Sequence, residues 1–312
     1  MLIIYTRPNN MLSREYAKYF LSMMTGKLRG PKAVLRSMRR GMRQLGMTAL
    51  INPPHSQIKH GDIVHVLSGV QALRECIELK KAGKIGTLVA GPSISVIPSD
   101  DNGLLLDPSI DQILVPSPWV KNLYSSLHPE IAGKTYPWPA GVAMPSAKEK
   151  PQKQTDYLIY VKNVDHQLLT AVESQLTKHH KSFKKVIYGE FEQKEFFDRL
   201  NKAKAMIYLS PSESQGLALH EAWIRDVPTL VWSRGHWEYK GMRWEDPKIS
   251  APYLSDEIGS FFTGTEDFES ALIDFERRLQ TGAFAPKAHS LEHFTDAKSV
   301  QALLDILGRH NV

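Results

Sequence analysis

A single cysteine, Cys76, in a chain of 312 residues leaves no partner for an internal disulfide and points to a reducing compartment. No apolar run approaches the roughly 18–20 residues that cross a bilayer, and no short apolar signal core stands at the N-terminus. The expectation is a cytoplasmic protein that meets a membrane, where it does so, only peripherally on its inner face. Internal repeats and low-complexity tracts are missing, which excludes solenoids and long disordered tails. Acidic residues are scarce at the start: from Arg7 to Arg43 ten basic residues stand against one acid, Glu15. That segment carries more positive charge than the whole chain's excess of +6 and calls for an anionic partner. Hydrophobic content of 42% and charged content of 23% are ordinary for a globular chain with real cores.

Short apolar runs alternate with helix-compatible stretches. Leu2–Thr6, Thr48–Asn52, Asp62–Ser68, Ile85–Ala90 and Gln112–Val115 read as strands of a first parallel sheet, with a helix over Gln71–Ala82. Met11–Met24 reads as a helix with Leu12, Tyr16, Tyr19, Phe20 and Met23 on its apolar face. A glycine loop, Gly26–Pro31, leads into a basic amphipathic helix from Lys32 to Leu45. Its outward residues, Arg36, Arg39, Arg40 and Arg43, suit either plain solvation or an anionic membrane surface. Nucleic acid is the weaker partner, because no aromatic stacking platform accompanies the charge.

Ala143–Thr155 is rich in Pro and Lys, lacks periodicity and reads as an interdomain linker. The expected domains are therefore 1–147 and 148–294. In the second, strands Tyr157–Lys162 and Lys185–Phe191 alternate with helices Val164–His180 and Gln193–Lys204. Ser233–Pro247 reads as a long irregular loop, Glu266–Gln280 as a helix, and Thr295 as the cap of a final helix to residue 310.

The densest signal lies between Met206 and Trp232. An apolar strand runs into Ser210-Pro211-Ser212-Glu213-Ser214-Gln215-Gly216, then into a helix that Pro228 stops, then into a second strand from Thr229. In such a βαβ unit the strand-to-helix loop is the functional edge. Glu213 precedes the helix and Glu221 lies inside it. Between them the first helical amides and Gly216 offer a seat for a phosphate. An acid on each side of an anion seat suits a diphosphate with hydroxyl groups on both flanks, as in a nucleotide sugar.

The run Pro211-Ser212-Glu213-Ser214-Gln215-Gly216-Leu217, with Glu221-Ala222 and Pro228 following and the acids spaced E-x7-E, resembles the family 4 retaining glycosyltransferases. That resemblance implies the GT-B fold, an α/β architecture of two Rossmann-like doubly wound domains facing across a cleft, with the final helix returning to the first domain. It implies that Glu213 is the catalytic acid facing the donor sugar and that Glu221 holds the ribose hydroxyls. Gly216, Leu217, Ser214 and Gln215 would surround the diphosphate, with Lys162 and Arg234 as its cations. Gly26, Gly30 and Ser93 would lie on the acceptor side, facing a glycan or lipid-linked acceptor. No cofactor is implied beyond the nucleotide-sugar co-substrate, and no metal; the absence of any Asp-x-Asp pair agrees.

Four departures stand out, the first being Val227 where the family has a Gly before the Pro. Ser214-Gln215 replace the usual Gly-Phe, the Gly-Arg text near Lys162 is missing, and no His follows the strand ending at Ala90. A catalytically silent nucleotide-sugar binder, or a nucleic-acid-binding protein, therefore stays open at this point. His65 reads as a packed core residue. His289-Ser290-Leu291-Glu292-His293 has the spacing of a zinc motif but lacks a third ligand downstream.

Overall fold

In the computed structural model, which describes residues 1–24, 30–146 and 153–308, the chain forms two compact units. Unit 1 is Met1–Gly141 with Asp296–Val312, and unit 2 is Val142–Thr295. The boundary thus falls ahead of the expected linker, and the segment from Asp296 onward belongs to unit 1.

Unit 1 is built on strands β1 (Leu2–Tyr5), β2 (Leu50–Ile51), β3 (Ile63–Ser68), β4 (Thr87–Ser93), β5 (Gln112–Val115) and β6 (Thr135–Pro137). They lie in the order β2-β1-β3-β4-β5-β6, and every neighbouring pair is parallel. Ile3, Ile4, Val64, Val66, Leu88, Val89, Ile113 and Leu114 are all buried, which is why these strands read as unbroken apolar runs.

The Asp296–Gly308 helix packs on the Gly30–Gln44 helix. Gly41 permits the approach, since a Cβ there would run into the Asp296 carbonyl. Arg40 grips the Asp296 carboxylate through two nitrogens, at 2.6 and 3.0 Å. Trp138 and Gln112 donate to the carbonyls of Ser299 and Ile306, both at 2.8 Å. Arg40 is therefore a structural clamp and leaves the outward set; Arg36, Arg39 and Arg43 remain exposed. A second correction concerns the Arg14–Met24 helix. Phe20 is exposed on it, and Leu12, just ahead of it, is 95% exposed, so neither joins a buried face.

Unit 2 carries β7 (Thr155–Val161), β8 (Phe183–Ile187), β9 (Ala203–Leu209), β10 (Thr229–Trp232), β11 (His236–Tyr239), β12 (Met242–Glu245) and β13 (Gly259–Phe262). Five of them form a parallel sheet in the order β13-β10-β9-β7-β8. Side chains alternate across it. Tyr157, Ile159, Ile207 and Leu209 pack with Val172 and Leu176 of the His166–Lys178 helix and Phe268, Leu272 and Phe275 of the Thr265–Gln280 helix. Leu158, Tyr160, Met206 and Tyr208 pack with Phe196 and Leu200 of the Gln193–Lys202 helix and Leu219 and Trp223 of the Leu217–Trp223 helix.

The segment expected to be an irregular loop is a hairpin. β11 and β12 pair antiparallel with Tyr239 opposite Met242, so Lys240-Gly241 is a two-residue turn. Both turn residues have positive φ, 48° and 78°, as a type I′ turn requires.

The order of the strands fixes where a ligand belongs. The chain runs from β7 to β8 on one side, then crosses back to β9 on the other side of β7. β7 and β9 therefore flank the point where the winding reverses, and in open parallel sheets the crevice beyond the strand ends at that point receives ligands.

Candidate functional site

Lys162 follows β7, and the Ser210–Gly216 loop follows β9, so the reversal point brings the two together. The Lys162 amide donates to the Leu209 carbonyl at 2.8 Å and ties the two strand ends. Above that tie, Lys162 Nζ lies 2.8 Å from Glu213 Oε1. The same oxygen accepts from the Tyr208 hydroxyl at 2.7 Å. Ser210 Oγ is 2.9 Å from it and 3.1 Å from the Ser212 carbonyl, so its one proton is shared. Glu213 is 9% exposed, and its backbone amide donates to the Ile249 carbonyl at 2.8 Å. A buried carboxylate needs such company, because desolvation costs several kcal/mol without it.

Burial, and after it the Glu213 charge, pushes the Tyr208 phenol well above its ordinary pKa. It stays a neutral hydrogen-bond donor. Its ring stacks on Tyr160, with centroids 4.7 Å apart and planes 12° from parallel. Lys162 Nζ sits 5.0 Å from the Tyr188 ring centroid, a cation–π contact that steadies the ammonium.

Glu221 lies on the Leu217–Trp223 helix, and its Oε1 accepts from Gln193 Nε2 at 2.8 Å. Beyond the larger effect of burial, both Glu213 and Glu221 raise the Tyr160 and Tyr208 phenols. The charges of both acids thus act on one stacked tyrosine pair. Gly216 opens the helix in the left-handed region, φ 83° and ψ 57°, and a Cβ there would crowd Leu219. Its carbonyl takes the Leu219 and His220 amides at 3.0 and 3.3 Å. Among the described residues the Leu217 and Ala218 amides have no protein acceptor. Ser214 is exposed beside them and Gln215 is buried.

The other expected site residues fall elsewhere. Arg234 lies at the foot of the hairpin with Nε on the His236 carbonyl at 2.9 Å, turned to its own backbone. Ser93 ends β4 and pairs in register with Ser68, and Gly30 opens the Gly30–Gln44 helix; both are in unit 1. Gly26 lies outside the described residues. His65 is fully buried in β3, with Nε2 2.6 Å from the Gly91 carbonyl and its ring edge-on to Trp138. Among the described residues no group of His, Cys, Asp and Glu side chains is arranged to hold a metal ion.

Three participants were not singled out from the sequence: Tyr208, Ser210 and Gln193. Tyr208 lay inside the apolar strand run, Ser210 opened the loop without any charge to mark it, and Gln193 comes from a different helix. His220 is enclosed by Trp223, Tyr253 and Phe294, the last edge-on at 4.4 Å. Burial lowers its pKa to about 3, so the imidazole is neutral.

No family model matches the chain, and no curated protein matches it. Solved structures do. The apo form of WaaB, a lipopolysaccharide outer core galactosyltransferase, superposes at TM-score 0.58 with 11% identity, covering 99% of this chain and 100% of that one. AviGT4, a glycosyltransferase involved in avilamycin A biosynthesis, reaches TM-score 0.58 with 12% identity over 99% of this chain and 97% of its own. The catalytic domain of starch synthase IV from Arabidopsis thaliana, bound to ADP and acarbose, reaches 0.52 with 9% identity over 90% and 78%. The fold is GT-B, with a parallel sheet in each of its two units.

Proposed function

We propose that the chain is a retaining glycosyltransferase that moves a sugar from a nucleotide-diphosphate sugar to a glycan or lipid-linked acceptor. The observation that carries the reading is the Lys162–Glu213 contact at 2.8 Å, at the reversal point of the unit 2 sheet and beside the unaccepted Leu217 and Ala218 amides. One cation, open amides and two flanking acids suit a diphosphate whose ends carry hydroxyl groups. In this reading Glu221 takes the ribose hydroxyls, the amides and Lys162 take the diphosphate, and Glu213 orients the transferred sugar. Gly216, Ser214 and Gln215 shape the loop between them.

The reaction breaks the bond between the sugar's anomeric carbon and the β-phosphate oxygen. The acceptor oxygen forms the new bond on the same face, and its proton passes to the departing phosphate. The protein's part is chiefly electrostatic: Lys162 and the helix amides stabilise charge as it builds on the leaving diphosphate. No metal or cofactor is assigned to the site. A lipid-linked acceptor would bring the enzyme to an anionic membrane, for which the exposed Arg36, Arg39 and Arg43 of the Gly30–Gln44 helix would supply positive charge.

A thermal-shift screen of UDP, GDP, ADP and CMP tests the reading. A ligand present at about 100 times its Kd adds ~2.7 kcal/mol, which should raise the midpoint by several degrees for one base. Incubation with the matching sugar nucleotide should then give transfer with retained anomeric configuration. Four nucleotides without a shift would overturn the proposal.

A further inference from the structure

Gln193 is the first residue of the Gln193–Lys202 helix, and its side chain reaches across to the Leu217–Trp223 helix. There Nε2 donates to Glu221 Oε1 at 2.8 Å. A carboxylate only accepts, so the amide must turn its NH₂ toward it. Aromatic rings fix where that amide stands. Phe191 and Phe196, on either side of it in the chain, both meet Tyr160 edge-on, with centroids 6.0 and 5.6 Å away. Phe196 and Leu200 share a buried cluster with Leu219 and Trp223 of the partner helix. One turn beyond Gln193, the Phe197 ring lies under the Arg225 guanidinium, 3.7 Å from its centroid. Arg225 is buried, stands four residues beyond Glu221, and donates to the Glu221 carbonyl at 3.2 Å. Two rungs a turn apart therefore join the segments, 193 to 221 and 197 to 225. A change at residue 193 leaves the second rung and the buried cluster in place.

We infer that Gln193 is a positioning residue for Glu221, and that through it the protein favours a ribonucleotide donor over one without ribose hydroxyls. The inference rests on the glycosyltransferase reading and deepens it by naming what aims the ribose-binding acid. Gln193 and Glu221 are both half-buried rather than in the core. Water can therefore solvate the carboxylate without the amide, and an exposed polar contact of this kind adds little to stability. What the amide does supply is direction. A glutamate side chain turns about several bonds, and freezing it at the moment of binding costs affinity; a carboxylate held beforehand avoids much of that cost. A neutral donor also fixes a carboxylate without cancelling the charge that makes it a strong acceptor for hydroxyl groups. The gain reaches only a ligand that has hydroxyls to offer, so Gln193 acts on discrimination rather than on diphosphate binding.

The test is calorimetric titration of UDP, GDP, ADP and CMP, each beside its 2′,3′-dideoxy counterpart. One ribonucleotide should bind the wild-type protein about tenfold or more tighter than its dideoxy form. In Gln193→Leu the ribonucleotide should weaken about fivefold while the dideoxy form stays within about twofold, so that discrimination narrows. Gln193→Asn, polar but too short to reach Glu221, should match it and guards against a folding defect in the leucine variant. In a Glu221→Ala background Gln193→Leu should have no further effect, as residues acting through one contact require. Equal losses for both ligand forms would show a merely structural role and overturn the inference. So would unchanged affinities in both Gln193 variants, or a full additional loss in the Glu221→Ala background; each leaves the enzyme reading standing. A wild-type protein that binds a nucleotide without regard to its ribose hydroxyls would overturn the inference together with the role of Glu221. Absence of any nucleotide binding by the wild type would remove the glycosyltransferase reading and the inference with it.

Discussion

Each unit puts a helix start beside the point where its parallel sheet reverses, and the two starts are dressed in opposite ways. In unit 1 the reversal falls between β1 and β3, and the Val70–Lys81 helix follows β3 through Gly69. Glu15 reaches in from another segment: its Oε2 accepts the Gln71 amide at 3.0 Å, and a Cβ on Gly69 would strike its Oε1. The chain supplies its own anion there. In unit 2 the Leu217 and Ala218 amides meet no acceptor among the described residues, while Oε1 of the nearest acid, Glu213, is engaged by Lys162, Tyr208 and Ser210. One architecture thus yields a self-capped tip and an open one. The open tip is the place at which an external diphosphate is proposed to bind.

The contrast breaks most visibly at Glu213. Glu213→Gln keeps the shape and an acceptor oxygen but removes the charge opposite Lys162. Sugar transfer should fall roughly 10²–10³-fold, on the scale of losing one preorganised electrostatic group, with nucleotide affinity nearly unchanged. Full activity in this variant would remove Glu213 from the mechanism.

Lys162→Met probes the same pair from the other side. It strands a carboxylate in a site where Glu213 is 9% exposed, and should lower the stability of unit 2 by ~1–3 kcal/mol. Adding Glu213→Gln to Lys162→Met should recover a large part of that loss. Strictly additive effects in denaturant titrations would mean that the pair is uncoupled.

Acid should weaken both units. His65 in unit 1 and His220 in unit 2 have pKa values lowered by burial to about 4 and about 3, below the ordinary 6.5. Each is neutral in the fold, and the unfolded chain takes up the proton first as pH falls. The stability they contribute is full above about pH 6.5 and is lost as pH drops toward the folded values, roughly 2 kcal/mol per histidine between pH 7 and pH 5. Hydrogen exchange resolved by unit would show it, and His220→Leu should flatten the response in unit 2 alone. Greater protection of unit 2 at pH 5 than at pH 7 would contradict the neutral imidazole.

The smallest effect sharpens the comparison. Glu15→Gln keeps an acceptor near Gln71 but discards the charge, and should cost unit 1 about 0.5–1.5 kcal/mol without touching nucleotide binding. A shift in nucleotide affinity would mean that the two tips are not independent.

Most of the sheet-and-helix plan could be read in advance, because strands buried on both faces leave continuous apolar runs that helical stretches separate. The loop with Glu213 and Glu221 was legible for the same local reason: strand end, glycine, helix and stop proline are adjacent in the chain. The partners of those acids were not. Lys162 reaches Glu213 and Gln193 reaches Glu221 only through the strand order, which no local pattern encodes. The hairpin was missed because Lys240 occupies the first turn position, where Asn or Asp would have announced a type I′ turn. Arg40 looked like its neighbours Arg39 and Arg43 until the distant Asp296 came to lie against it. Leu12 and Phe20 carried an apolar signal that the fold leaves in solvent.

The central claim, an external diphosphate seated at the open tip of unit 2 with Glu221 on the ribose, is tested most directly by calorimetric titration of the nucleotides into wild-type protein and Glu221→Ala. One nucleoside diphosphate should bind the wild type and lose at least tenfold in affinity in the variant, about 1.4 kcal/mol or more, with the fold unchanged. Equal binding by the two proteins, or no binding by the wild type, would contradict the account.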